Sequence, residues 1–131
     1  MVTVEPATHD DITWPDREGY QDFERLLSDP QALVLVAWAD TTAIGHAVAY
    51  LSASSPTRAP VTYGVLRSLY VDPRHRNTAV GSQLTEAFIA WARTHGCAEA
   101  HVESYSAYEA VQRFYERLGF GARSVSRALR L

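Results

Sequence analysis

The chain has 131 residues, 47% hydrophobic and 21% charged, the composition of one ordinary globular domain over residues 1–131. All 12 of its Lys-plus-Arg positions are arginine; without lysine, a Walker-type phosphate loop and Schiff-base chemistry are both excluded. The net charge of −3 is uneven, with nine acids against three arginines in residues 1–65 and nine arginines against six acids in residues 66–131. That second-half excess is too small to hold a nucleic acid and suits one small phosphorylated ligand. The single cysteine, Cys97, cannot close an internal disulfide. The longest apolar run, Ala32–Ala39, falls far below the ~20 residues of a membrane span, and no basic-then-apolar leader opens the sequence. A cytoplasmic protein without a membrane role is the expectation.

In chain order, Val2–Pro6 predicts a short strand closed by proline. Tyr20, Phe23, Leu26 and Leu27 fall on one face of a helix between Asp10 and Asp29, and Pro30 stops it. Leu33–Ala39 and Ala43–Ser52 predict two strands joined at Asp40-Thr41-Thr42 as a hairpin. Ser54–Pro60 reads as a loop, and Val61–Val71 as a third long strand. The period then changes: Leu84, Ala87, Phe88 and Trp91 predict a helix from about Thr78 to His95, stopped by Gly96. Ala98–Ser104 predicts a strand. Val111, Phe114, Tyr115 and Leu118 predict a helix ended by Gly119, and the alternation Val125, Arg127, Leu129, Leu131 predicts a terminal strand. The order β-α-β-β-β-α-β-α-β implies an α/β domain with a mixed central sheet flanked by helices.

Chemistry concentrates in Leu69–Leu84, LYVDPRHRNTAVGSQL. A strand ends at Asp72-Pro73, a basic turn follows with Arg74, His75 and Arg76, and a helix opens with the small residues Ala79, Gly81 and Ser82. Unpaired amides and the partial positive charge of a helix start favour phosphate, and small side chains let a bulky anion reach the backbone.

Arg76-x-x-Ala79-x-Gly81 resembles the Arg/Gln-x-x-Gly-x-Gly/Ala turn of the GNAT superfamily of N-acetyltransferases, where it grips the pyrophosphate of acetyl-coenzyme A. Phe114-Tyr115-Glu116-Arg117-Leu118-Gly119-Phe120 resembles that family's FYERLGF segment, and Leu69-Tyr70-Val71-Asp72-Pro73 its strand before the loop. The resemblance covers about residues 61–121 and implies a single-domain GNAT-like fold. It departs at two places. Ala79 stands where the family's first glycine does; its methyl either displaces the pyrophosphate or is harmless if the backbone is helical there. Tyr108 stands where the family tends to carry Asn, and Val111 where it carries Ala.

The resemblance implies acetyl transfer from acetyl-coenzyme A, a co-substrate, to a small-molecule or peptide amine, without a metal. Leu69, Tyr70 and Val71 would line the pantetheine slot, and Arg76, Asn77, Thr78, Ala79, Val80, Gly81 and Ser82 the pyrophosphate turn. Tyr115 takes the place of the family's general acid; a core tyrosine is the alternative. Relatives often carry a carboxylate just before the Leu-Tyr-Val segment, where this chain has Arg67 and Ser68. Glu103 is the candidate base, against a solvated strand-end charge; His46 acting through water, and solvent itself, stay open. The acidic first half would suit a cationic acceptor. Trp14, Trp38, Tyr20, Tyr50 and Tyr105 either line an acceptor pocket or pack. His9-Asp10-Asp11 reads as a helix start rather than a metal cluster, and Cys97 as a buried structural thiol. The rival readings are an acyl-coenzyme A sensor without turnover and a subunit acting through homodimer contacts, with Val125–Leu131 as an exchanged edge.

Overall fold

The computed structural model describes residues 2–8, 11, 17–53, 61–104 and 108–131, with backbone alone for 17–22. The elements are β1 (Val2–Pro6), α1 (Arg17–Ser28), β2 (Ala32–Ala39), β3 (Thr42–Ala53), β4 (Thr62–Val71), α2 (Val80–Thr94), β5 (Glu99–Val102) and α3 (Glu109–Arg117). One sheet runs in the order β1-β2-β3-β4-β5, with antiparallel pairing from β1 to β4 and parallel pairing of β4 with β5. Each antiparallel step joins sequence neighbours, while the parallel step requires the crossover that α2 supplies. The single domain with a mixed sheet flanked by helices is therefore as the periodicities predict.

The core lies between the sheet and α2. Leu35, Ala37, Ile44, Ala47, Ala49 and Leu66 meet Val80, Leu84 and Phe88, and Leu84 and Phe88 are wholly buried. Fully burying side chains of this size stabilises by about 1.5–3 kcal/mol each. Thr85, the one buried polar side chain in this layer, donates its hydroxyl to the Gly81 carbonyl at 2.8 Å. Val34 and Val36 alternate with Leu35 and Ala37 and are buried on the opposite face. Helix α1 packs on β2 and buries Phe23. Among the described residues no helix is long and apolar enough to cross a membrane.

Three expectations need correction. Helix α2 opens at Val80 rather than Thr78, because Asn77 and Ala79 take left-handed backbone angles that a helix cannot contain. Strand β5 ends at Val102, which leaves Glu103 beyond the ladder. The terminal strand of the predicted order is absent: residues 120–131 form no strand, with Val125 75% and Leu129 83% exposed. Alternation specifies a strand only where an edge receives it. The segment touches β5 through Arg123, whose Nη1 pairs with Glu99. Trp14, Tyr105, His9, Asp10 and the loop at 54–60 lie outside the described residues, as does the side chain of Tyr20.

Candidate active site

Hydrogen bonds within the chain fix the turn after β4. Asp72 donates its N–H to the Ile44 carbonyl at 2.7 Å and accepts from the Arg74 N–H at 2.9 Å, which starts a single 3-10 turn over Pro73–His75. Arg76 donates Nε to the Val71 carbonyl at 3.0 Å and lies 5.9 Å from the Tyr70 ring centre. That bond ties the arginine to the strand end with one of its three nitrogens. The Thr78 hydroxyl donates to the His75 carbonyl. Asn77 at φ +64° and Ala79 at φ +71° then reverse the chain into α2. Of the two alternatives for Ala79, right-handed helical backbone is not the one realised.

No side chain caps α2. Its first helical bond runs from the Gln83 N–H to the Ala79 carbonyl at 3.0 Å, so the N–H groups of Val80, Gly81 and Ser82 have no intrahelical partner. Three amides and the positive end of the helix dipole, with Arg76 alongside, match the charge and donor needs of a diphosphate. Gly81 has a packing task besides the one its motif suggests. A Cβ there would sit 3.2 Å from Phe114 Cζ, so the missing side chain admits α3 against α2.

The second element of the site is a parting of the sheet. Strand β4 pairs with β5 only from Tyr63 to Leu66, yet pairs with β3 as far as Val71. Opposite β3, Ala49 faces Leu66 and Val48 faces Ser68, so Arg67 is the extra residue of a bulge placed where β5 departs. A cleft of about 310 Å³ opens there, lined by Leu66–Leu69 of β4, Glu103 and Ser104 beyond β5, and Val111 and Tyr115 of α3. Leu69 lines it directly, while Tyr70 and Val71 continue the unpaired β4 edge towards the turn. The Gln112 side chain donates to the Ser104 hydroxyl at 2.8 Å and ties α3 to the chain leaving β5.

Tyr115 is half-buried between the core and the cleft, edge-on to Phe120 at 5.7 Å. Burial pushes its hydroxyl above the ordinary value of 10.0, so it carries its proton at neutral pH. Glu103 is exposed on the opposite wall. His46 stands on β3 opposite Tyr70, with ring centres 5.5 Å apart, and burial pulls its pKa below 6.5, which keeps it neutral. It does not line the cleft. Arg67, which the motif comparison treats only as a missing carboxylate, does line it; a bulge depends on strand register and leaves no mark in composition. Tyr108 caps α3 without a side-chain hydrogen bond to the helix. Cys97 is only part-buried, and desolvation pushes its thiol up, which disfavours a thiolate. Among the described residues no cluster of three or more His, Cys, Asp or Glu could hold a metal ion.

A helix start with unpartnered amides, an opened strand edge and a protonated tyrosine lie along one path, an arrangement with the donors an acyl-coenzyme A transferase needs. The model of the acetyltransferase (GNAT) family matches residues 4–120, and the chain belongs to that family. An aminoglycoside N(6')-acetyltransferase type 1 from Acinetobacter genomosp. 13 is 30% identical over 118 residues, covering 83% of this chain and 77% of the relative. Among solved structures, AAC(6')-Iy bound to the bisubstrate analog CoA-S-monomethyl-acetylneamine has a TM-score of 0.79 at 22% identity, covering 100% of this chain and 99% of the other. A transcriptional regulator from Bacillus halodurans C-125 has a TM-score of 0.85 at 20% identity, with full coverage of both chains. At those identities the two structures establish the fold. The chain is an N-acetyltransferase: it transfers the acetyl group of acetyl-coenzyme A to an amine. Family membership favours turnover over the sensor reading.

Proposed function

We propose that the β4–β5 cleft is where acetyl transfer takes place, on a small-molecule amine, with Tyr115 as the general acid. The observation that carries this is the continuous path from the uncapped start of α2, along the unpaired edge of β4, to Tyr115. Acetyl-coenzyme A supplies the activated thioester when bound, its diphosphate against the amides of Val80, Gly81 and Ser82 with Arg76, Asn77, Thr78 and Ala79 shaping the turn. Backbone groups of Leu69, Tyr70 and Val71, freed from β5, hold the pantetheine arm much as a neighbouring strand would. The neutral amine attacks the carbonyl carbon, the C–S bond breaks, and the sulfur takes the Tyr115 proton. A free β4 N–H faces the developing oxyanion. Glu103 receives the amine proton, since it is the one carboxylate among the described cleft residues.

Tyr115→Phe tests the assignment. The expected result is a drop of about 10²–10⁴ in kcat, the range of a positioned acid, with acetyl-coenzyme A affinity little changed by calorimetry. Unaltered thiol release by this variant removes Tyr115 from the role. The small-molecule reading draws support from the relatives, which are named for acetylating aminoglycosides. A cytoplasmic location completes it.

The open edge of β5 and the alternating segment Val125–Leu131 support a homodimer by strand addition. Charge agrees, because Arg127 and Arg130 lie on the segment and Glu103 follows the edge. Truncation after Ser124 is expected to convert a dimer into a monomer by sedimentation; a wild-type monomer refutes the pairing.

A further inference from the structure

The wall of the cleft also bears on which amine is acetylated, and here the reading rests on the acetyl-transfer site just proposed. Arg67 is the bulged residue at the parting of β4 and β5. Its guanidinium carbon lies 5.9 Å from the Tyr50 ring centre, and its Nη1 is 3.4 Å from the Tyr50 hydroxyl. Tyr50 follows the core residue Ala49 on β3, so it projects from the face away from α2 and holds the guanidinium there. The side chain is exposed, and among the described residues no carboxylate pairs with it. The one other carboxylate on that face near β5, Glu99, is held by Arg123 and His101. An arginine with at most one donor committed, propped over an aromatic ring at a cleft mouth, is an anion receptor in waiting.

The rest of the lining is consistent with this. Ser68 and Ser104 bring hydroxyls, and Glu103 alone brings negative charge. None of the first-half acids whose side chains are described lines the cleft; the side chains of Asp10, Asp16, Glu18 and Asp22 lie outside the described residues. Among the described lining residues a polycationic acceptor would meet one carboxylate and one guanidinium. A molecule with an amine at one end and anionic oxygens at the other would meet both charges in the favourable sense.

We infer that the acceptor is an amine that also carries a carboxylate or phosphate group, which Arg67 binds while Glu103 faces the nitrogen. Arg67 is thereby a specificity-determining residue. The test is thiol release with acetyl-coenzyme A across a matched panel: amino acids, aminoalkyl phosphates, the carboxamide counterparts of the amino acids, and an aminoglycoside. Wild type is expected to show its highest kcat/KM on an anionic amine, with the amino acid and phosphate arms deciding which oxygens are read. In Arg67→Gln the ratio of kcat/KM for that acceptor to its uncharged counterpart should fall about 10- to 100-fold, the loss of one charge-assisted contact. Arg67→Lys, which keeps the charge without the fork, should recover part of it. An aminoglycoside outrunning every anionic amine, or a ratio untouched in Arg67→Gln, overturns the inference and leaves the acetyltransferase reading standing. Failure of every amine to release thiol, with no acetyl-coenzyme A binding, overturns both.

Discussion

Ala79 offers the sharpest test of the phosphate turn. Its backbone sits at φ +71°, ψ +4°, in the left-handed region, immediately before the first residue of α2. An L-residue with a Cβ is destabilised there by about 1–2 kcal/mol relative to its right-handed form. Glycine escapes that clash but adds about 0.4–1 kcal/mol of freedom to the unfolded chain. The balance for Ala79→Gly is a gain of about 0.5–1 kcal/mol, or roughly 2–4 °C in Tm for a domain between the size classes that set the scale. Ala79→Val should lose about 1–2 kcal/mol, since a β-branched residue fits this region worse still. Gly96 is the control. It has φ +73° with nothing within 4 Å of a would-be Cβ, so Gly96→Ala isolates the backbone effect and should lose about 1 kcal/mol. Thermal melts of the four proteins, with and without coenzyme A, give the answer. A lower Tm for Ala79→Gly, or an Ala79→Val protein as stable as wild type, would refute the left-handed turn. The same glycine variant should bind coenzyme A at least as tightly, because removing the methyl only widens the approach to the amides.

Gly81→Ala should be destabilised by about 1 kcal/mol, because its Cβ would press on Phe114 from 3.2 Å, and kcat should fall with it as α3 shifts the adjacent Tyr115. Urea titration and thiol-release kinetics on the same preparation check whether the two effects move together. His46 gives the protein a pH-dependent stability whose sign follows from its lowered pKa. The folded state keeps the ring neutral, so this contribution is complete above pH 6.5 and is lost as pH falls below 6.5 towards the folded value. Urea midpoints between pH 7.5 and 5.5 should decline more steeply for wild type than for His46→Gln.

The periodicities were sufficient for every element that packs against a neighbour within the chain. Leu84 and Phe88, spaced for one helix face, are wholly buried at the centre of α2, and the hairpin at Asp40 forms with that residue at φ +55°. The same rules fail at Val125–Leu131, where the pattern is present but no strand of the chain pairs with it. The candidate site divides in the same way. Tyr115 and the Arg76–Ser82 turn stand on local motifs and could be read one residue at a time. The role of Gly81 depends on Phe114, 33 positions away, and that of Arg67 on which residue of β3 it slips past. Pair relations of this kind are written in register and packing, which a single chain of letters does not display.

The parting of β4 from β5 also governs the order in which this molecule comes together. Strands β2 to β4 form a meander of sequence neighbours, whereas β5 reaches the sheet through the α2 crossover and is held by a ladder of only four residue pairs. Closing long loops is slow, and short ladders are the easiest to undo. The cleft exists only where β5 and α3 dock beside β4, so hydrogen exchange is expected to show this seam opening before the β2–β4 meander. Substrate that bridges β4 and β5 would therefore act as a clasp on a seam that only four residue pairs secure.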